Sequence, residues 1–347
     1  MKVQITRDIA SALQSFLSQK AYSSIGVLVD ENTREHCYPL IRPYLPAHEL
    51  CQVQSGELHK NLDTCSQIWN WLTRQHFDRK SLLINLGGGV IGDMGGFCAS
   101  TYKRGIAFIN LPTTLLAQVD ASVGGKLGID FRGFKNHIGL FREPDAVIAF
   151  PEFLQSLPFR ELRSGFAEVI KHSLIYDAGY WPRIRQQGLN VTDWHSLIEH
   201  STGIKSDVVQ ADFREGGLRK ILNFGHTIGH AVESFYLEKE KPLLHGEAIA
   251  IGMVAETYLS GKYCGMPENE VQEVSHFILS VYGFYPIGPD DEARIVQLSL
   301  QDKKNEKDSI RASLLERIGH CRFDVNLSPE DISEGLQYYK DCHSMTS

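Results

Sequence analysis

Apolar positions in the first part of the chain fall in short runs separated by stretches of helical spacing. Ser24-Ile-Gly-Val-Leu-Val-Asp30, Leu82-Leu-Ile-Asn-Leu86 and Ile106-Ala-Phe-Ile-Asn-Leu111 are three such runs. Runs of this length bounded by turn residues predict strands buried on both faces. Glu31 to Ile41 and Leu62 to Phe77 carry the helical period, the second with Ile68, Trp69 and Leu72 on one side. Strands alternating with helices predict an α/β layer on a mostly parallel sheet. Ligands of such sheets collect at the carboxyl ends of the strands.

The pattern changes near Pro151. Arg160 to Ile175, Trp194 to Ala211, Phe224 to Phe235, Glu247 to Cys264 and Glu268 to Val281 all carry helical spacing, punctuated by Pro158, Pro242, Pro267 and Pro286. Ile310 to Leu315 and Cys321 to Val325 predict a small hairpin before a last helix near Pro329 to Tyr339. The expected organisation is an α/β domain over residues 1–150 and a predominantly α-helical domain over 151–347.

Composition narrows the function classes. The 347 residues are 42% hydrophobic and 22% charged, ordinary for a globular protein with a large core. A net charge of -7 argues against a nucleic-acid or membrane surface as the main partner. Seven scattered cysteines with no CxxC read as reduced thiols. The first residues, Met1-Lys-Val-Gln-Ile-Thr-Arg-Asp8, carry no apolar signal segment, so the expected location is the cytoplasm.

The densest chemistry lies in Asn223-Phe-Gly-His-Thr-Ile-Gly-His-Ala-Val-Glu233 and the following Leu244-His-Gly-Glu247. His226 and His230 are spaced i, i+4, which puts both rings on one helix face and is one familiar way to hold zinc. Thr227 follows His226, so this is not the HExxH of a metalloprotease. Gly225, Gly229 and Gly246 beside the histidines suggest that something approaches the backbone closely, since each Gly within a helix costs about 1 kcal/mol relative to Ala. A packed or solvated helix face is the plainer reading of such a pair. Glu168 sits among Phe166, Ala167, Val169 and Ile170 and needs a partner if buried. That partner is Lys171 at i, i+3, or a metal for which Glu and two His are a known catalytic set.

Other segments point to anions. Gly87-Gly-Gly-Val-Ile-Gly-Asp93 directly follows an apolar run. Glycines at a strand-to-helix turn let backbone N–H groups reach a phosphate, although the spacing is not GxGxxG. Thr113 and Thr114 close the next run, as helix caps or ligand contacts. Asp120-Ala-Ser-Val-Gly-Gly-Lys126 and Lys135-Asn136 set ammonium groups among glycines without the P-loop spacing. Lys205, Glu215, Arg219 and Asn223, with Lys303-Lys304-Asn305, are each ordinary surface residues alone; around one metal they suit a multiply anionic substrate.

Taken together, these motifs resemble the 3-dehydroquinate synthase family of sugar-phosphate cyclases. The matching stretches are GGGVIGD (87–93), LPTTLLAQVDASVGGK (111–126), KN (135–136), LPFRELRSGFAEVIK (157–171), NFGHTIGHAVE (223–233) and LHGEAIAIGM (244–253), with SGELHK (55–60) and DKKN (302–305) as weaker matches. The resemblance implies an NAD-binding α/β domain, a helical metal-binding domain and an active site in the cleft between them. It implies zinc or cobalt on Glu168, His226 and His245. NAD contacts are implied for Asp30 and Asn32 near the adenosine end, and for Glu57, Lys60, Gly88, Gly89, Val90, Asp93, Thr113, Thr114, Lys126, Lys135, Phe153 and Ser156. Substrate-facing positions would be Arg104, Asp120, Lys126, Asn136, Lys171, Lys205, Glu215, Arg219, Asn223 and His230, with one of Lys303 or Lys304. Since the position matching Arg104 reaches a neighbouring subunit's phosphate site in the family, a homodimer is implied. Phe134 stands where the family commonly has Gly, Leu127 where it has a small hydroxyl, Ser156 for Thr and His172 for Tyr.

The reaction so implied converts 3-deoxy-D-arabino-heptulosonate 7-phosphate to 3-dehydroquinate and phosphate. It proceeds through transient oxidation by NAD, phosphate elimination, re-reduction, ring opening and intramolecular aldol closure. A cyclase of another sugar phosphate such as sedoheptulose 7-phosphate, and a metal-dependent polyol dehydrogenase, are the alternatives. An inactive binding homologue would be expected to lose a ligand or a lysine, and none is lost.

Overall fold

The computed structural model describes residues 3–132, 134–237, 239–300 and 310–346. The chain divides into two compact units, Met1–Leu162 with Asp193–Thr202, and Arg163–Thr192 with Gly203–Ser347.

In the first unit the apolar runs become strands β1 (Val3–Ile5), β2 (Ile25–Asp30), β3 (Glu49–Val53), β4 (Leu82–Gly87), β5 (Ala107–Pro112), β6 (Lys126–Phe131), β7 (Phe134–Phe141) and β8 (Ala146–Ala149). Six of them form a parallel sheet in the order β1-β8-β5-β4-β2-β3, while β6 and β7 pair as an antiparallel hairpin. The side-chain period of two explains why both faces are apolar. Val27, Val29, Leu82, Ile84, Leu86, Ile109 and Leu111 pack on one face with Ile9 and Leu13 of the helix Ile9–Leu17. Leu28, Leu83 and Phe108 point the other way, towards the helices Leu62–Arg74 and Gly89–Thr101. From β2 the chain moves outward to β3, and from β4 it moves the opposite way to β5. The switch point therefore lies between the carboxyl ends of β2 and β4, where Asp30 and Gly87 sit, and this is where such sheets bind ligands.

The second unit is helical, as the periodicity predicts. The helices Phe159–Tyr176 (from Arg163 onward), His226–Leu237, His245–Cys264, Glu268–Tyr282 and Pro329–Thr346 are its long elements within the described residues. A two-stranded antiparallel hairpin, β9 (Ile310–Arg317) with β10 (His320–Leu327), joins them; the Leu315 N–H donates to Ser260 Oγ at 2.9 Å.

Some expectations differ from the structure. The helix expected over 31–41 breaks at Cys37 into Glu31–His36 and Tyr38–Ile41, because Pro39 supplies no N–H to the first helix and suits the first turn of the second. The Gly124-Gly125 turn leads directly into the β6–β7 hairpin, which the sequence pattern does not predict; Lys126 opens β6, and Lys135 and Asn136 lie on β7.

The glycines around the histidines have a structural purpose. A Cβ at Gly252 would lie 2.1 Å from the Gly225 carbonyl and 2.6 Å from the Gly229 nitrogen, and one at Gly229 would lie 3.0 Å from Ile249 Cα. The helices His226–Leu237 and His245–Cys264 thus meet backbone to backbone. What approaches these glycines is the other helix. Gly252→Ala is expected to destabilise the protein by about 1–3 kcal/mol through overpacking. Gly203→Ala, within a helix and with open space around it, should stabilise by about 0.5–1 kcal/mol. Urea midpoints of the two variants test this pair of opposite signs.

Candidate functional site

In the first unit the glycine turn after β4 leads into the helix Gly89–Thr101, whose N-cap Gly88 makes no side-chain cap. Its first N–H groups therefore face a cleft lined by Asn85, Gly87, Gly88, Gly89, Gly92, Asn110, Pro112 and Ala121. A Cβ at Gly88 would lie 3.1 Å from Thr114 Cγ2, and one at Gly89 3.3 Å from Ala121 Cβ. Side chains here would crowd Thr114 and Ala121, and glycine at both positions leaves the turn's backbone open to an anion such as a cofactor phosphate. Gly95 lets the helix settle onto the sheet, where the paired amides Asn85 and Asn110 hydrogen-bond at 2.9 Å. Sequence reading missed those two amides; polar residues inside apolar strand runs were the available signal.

The expected cofactor residues of this unit fall into distinct settings. Lys60 is buried, with Nζ 2.7 Å from Asp93 Oδ2 and 2.7 Å from Asn136 Oδ1. Burial works against its charge, but Asp93, Glu57 and Asp130 outweigh it and push its pKa up to about 12. Lys135 lies 3.8 Å from Glu57 across the same group. Thr114 caps the following turn by accepting from the Ala117 N–H at 3.1 Å, and the Thr113 N–H donates to the Gly87 carbonyl at 3.0 Å. Asp30 accepts from the Thr33 N–H at 2.8 Å at the end of β2, with Asn32 exposed two residues on. Val90 is the second residue of the glycine helix. Phe153 is buried edge-on against Phe150, and Ser156 Oγ donates to its carbonyl at 3.2 Å. Arg104 is exposed with a φ of 66°, Asp120 lies in the π-helical turn Ala117–Ala121, and Lys126 is exposed at the start of β6. Phe134 needs no glycine-like backbone here: it opens β7 and lies 5.3 Å from the His137 ring. Leu127 packs into the space left by Gly96, where a Cβ would sit 2.6 Å from it.

In the second unit, three helices converge. His226 and His245 each begin a helix, and Glu168 projects from the interior of a third, fully buried. Glu168 Oε1 lies 3.5 Å from His226 Nε2 and 3.5 Å from His245 Nε2. The ligand atoms of all three lie within 4.8 Å of one another. The other oxygen of Glu168 pairs with Lys171, one of the two partners expected for this carboxylate. His226 Nδ1 lies 3.1 Å from the Phe224 carbonyl, which can only accept; the proton is therefore on Nδ1 and Nε2 is a lone-pair donor. His245 Nδ1 faces Glu233 Oε2 at 3.3 Å, turning its Nε2 inward as well. Such outer carboxylate and carbonyl partners orient metal-binding imidazoles. Burial, then the charge of Lys171, holds the His226 pKa well below the usual range. For His245, burial is outweighed by Glu233 and Glu168, which push it up to about 10, so its Nε2 proton must leave when a cation binds. One carboxylate and two imidazole nitrogens turned to one point fit a divalent cation of the zinc type.

His230 stacks edge-on against His226, with ring centroids 4.9 Å apart. It also groups with Glu233 and His245 at ligand-like separations. The two groups compete for His245, and its bond to Glu233 through Nδ1 favours the Glu168 set. Glu233 was not foreseen, although its place seven residues after His226 puts it on the same helix face. Elsewhere in the unit Asn223 Nδ2 donates to Glu215 Oε1 at 2.7 Å, Glu215 having a φ of 61°. Arg219 is buried, its guanidinium donating to the Phe213 carbonyl at 2.6 Å. Asp212 pins the loop by accepting from Gly216, Gly217 and Arg219 N–H groups. Lys205 is buried on the helix Trp194–Ala211. Lys303, Lys304 and Asn305 lie outside the described residues.

Residues 50–164 match the family model of the 3-dehydroquinate synthase N-terminal domain and residues 165–305 that of its C-terminal domain. A 3-dehydroquinate synthase of Parabacteroides distasonis is 41% identical over 346 residues, covering 98% of each chain. The fold is similar to that of 2-epi-5-epi-valiolone synthase from Streptomyces hygroscopicus, solved with NAD+ and Zn2+ (TM-score 0.87, 22% identity, 98% of this chain and 97% of that one). It is also similar to 2-deoxy-scyllo-inosose synthase, solved with carbaglucose-6-phosphate, NAD+ and Co2+ (TM-score 0.85, 24% identity, 96% of each chain).

A metal on Glu168, His226 and His245 would give different roles to the two histidines that spacing alone pairs. His226→Ala should abolish stoichiometric zinc binding, while His230→Ala should retain it and lose rate. Metal content after dialysis, read beside turnover, decides the matter; equal zinc loss in both variants would contradict the split.

Proposed function

The chain belongs to the 3-dehydroquinate synthase family, and from that premise we propose that it converts 3-deoxy-D-arabino-heptulosonate 7-phosphate to 3-dehydroquinate and phosphate. It is an NAD- and divalent-metal-dependent lyase of aromatic amino-acid biosynthesis. The observation that carries the reading is the convergence of Glu168, His226 and His245 in a chain that matches the family's motifs over nearly its whole length.

Glu168, His226 and His245 hold the metal, which when bound polarises the substrate's neighbouring hydroxyl oxygens as a Lewis acid. The glycine cradle at 88–90, Asp93 and Lys60 would hold NAD, which would supply reversible hydride transfer. Asp30 and Asn32 face the adenosine end, and Glu57, Thr113, Thr114, Lys126, Lys135, Phe153 and Ser156 complete the cofactor contacts. The remaining work is positioning, which suits a reaction of several steps on one bound conformer. Lys205 and Arg219 orient the substrate carboxylate; the Phe213 carbonyl and the Asp212-pinned loop hold Arg219 in place. Glu215 orients the Asn223 amide towards a substrate hydroxyl. Lys126, Asn136, Arg104 and one of Lys303 or Lys304 hold the phosphate. Lys171, against Glu168, and His230, beside His226, stand next to the reacting oxygens, with Asp120 as a further substrate contact. The exposure of Arg104 supports a homodimer in which it serves the partner's phosphate site. Among the described residues no helix is long and apolar enough to cross a membrane, and the seven free cysteines support action in the reducing cytoplasm.

Purified protein given the heptulosonate phosphate, catalytic NAD+ and zinc or cobalt should release phosphate and form dehydroquinate without lasting NADH absorbance. Stoichiometric NADH, or no phosphate release from metal-loaded protein, would contradict the reading. Arg219→Ala should lower kcat/KM by about 10- to 100-fold, the worth of a hydrogen bond to a charged group, while leaving metal content unchanged.

A further inference from the structure

The two histidines are steadied from behind by different devices. His245 Nδ1 meets the Glu233 carboxylate directly, at 3.3 Å. His226 Nδ1 donates instead to the Phe224 carbonyl, at 3.1 Å. That carbonyl shares one peptide group with the Gly225 N–H, which donates to Glu256 Oε2 at 2.6 Å. No cis peptide occurs among the described residues, so the C=O and N–H of this group point in opposite directions. The imidazole lies at one end of the peptide and a carboxylate at the other. Glu256 Oε1 accepts a second N–H, that of Ile228 in the first turn of the same helix, at 2.9 Å.

Glu256 is fully buried within the helix His245–Cys264, amid Met253, Val254, Ala255 and Leu259. Burying a carboxylate is costly unless it is well bonded, so its place calls for a reason. Capping is part of it. Gly225 precedes the helix His226–Leu237 with a φ of 78°, and a Cβ there would meet Met253 Cγ at 2.4 Å. No side chain can enter at that position, so the cap comes from the neighbouring helix. A cap alone, however, would require nothing of the peptide that also holds the His226 ring.

We infer that Glu256 is a positioning residue for His226, acting through the Phe224–Gly225 peptide as Glu233 acts on His245 by contact. The inference rests on the assignment of Glu168, His226 and His245 as the metal ligands. A short hydrogen bond from the Gly225 N–H to a carboxylate polarises the peptide and strengthens its carbonyl as an acceptor. The stronger acceptor fixes the ring's tautomer and orientation and makes Nε2 a better donor. Each histidine ligand thus has its own buried carboxylate, one direct and one relayed.

Two measurements test it. In Glu256→Gln, zinc affinity from chelator competition should fall about 10- to 100-fold, the usual effect of losing an outer partner. The visible ligand-field spectrum of the cobalt-loaded variant should shift, while NAD affinity stays at the wild-type value. A variant that is less heat-stable but has unchanged zinc affinity and cobalt spectrum would overturn the inference and leave Glu256 as a cap only. Wild-type protein that takes up no metal would overturn the ligand assignment and this inference with it. The second measurement needs no variant: the Gly225 amide proton resonance should move downfield when zinc is added to the metal-free full chain. The Ile228 amide, on the same carboxylate but outside the relay, should move much less; equal shifts, or none at Gly225, would overturn the relay.

Discussion

Backbone-to-backbone contact between the helices His226–Leu237 and His245–Cys264 is the constraint on which the metal-binding unit depends. Only glycine at 225, 229 and 252 permits it, and each of the two histidines begins one of the helices. Close packing therefore brings two helix N-termini, and the two rings they carry, to one place. The ring centroids of His226 and His245 are 5.4 Å apart. A third backbone joins at Gly246, where a Cβ would lie 1.9 Å from the Ser164 carbonyl, one turn before Glu168. The three donors are fixed by main chain rather than by flexible side chains.

This arrangement has an electrostatic cost that accounts for the surrounding carboxylates. Helix N-termini carry partial positive charge, which disfavours a cation held between them. Four carboxylates answer it: Glu168 between the rings, Glu233 behind His245, Glu256 behind the Phe224–Gly225 peptide, and Glu247 on the Leu244 N–H. Lys171 on Glu168 and Arg163 on Glu247, the latter at 2.8 Å, keep the cluster from excess negative charge. The buried charges are thus mutually supporting, and the glycines and the acids are parts of one solution.

Much of this was legible from residue order. Strong periodicity placed the long helices within a few residues, and the apolar runs located β2, β4 and β5. The glycine turn after β4 was recognisable because strand, glycines and helix occur in sequence. Other features depend on contacts that one-dimensional patterns do not carry. The β3 strand, Glu49–Val53, is an edge strand with polar positions, and β6–β7 lies in a stretch whose glycines and lysines suggested a loop. The glycines near the histidines announced close approach without saying that a helix would be the visitor. Spacing offered His226 and His230 as a pair and could not separate them, since the distinction lies in which nitrogen each neighbour occupies. Glu256 is one acid in an apolar helix, and its meaning appears only when the Gly225 N–H is seen to reach it.

The central claim is that one ion is held by Glu168, His226 and His245. Anomalous diffraction at the zinc edge, from crystals of the zinc-loaded protein, tests it most directly. The account predicts a single peak about 2 Å from Glu168 Oε1, His226 Nε2 and His245 Nε2, with His230 outside bonding distance. A peak bonded to His230 and Glu233, with Glu168 engaged by Lys171 alone, would contradict it.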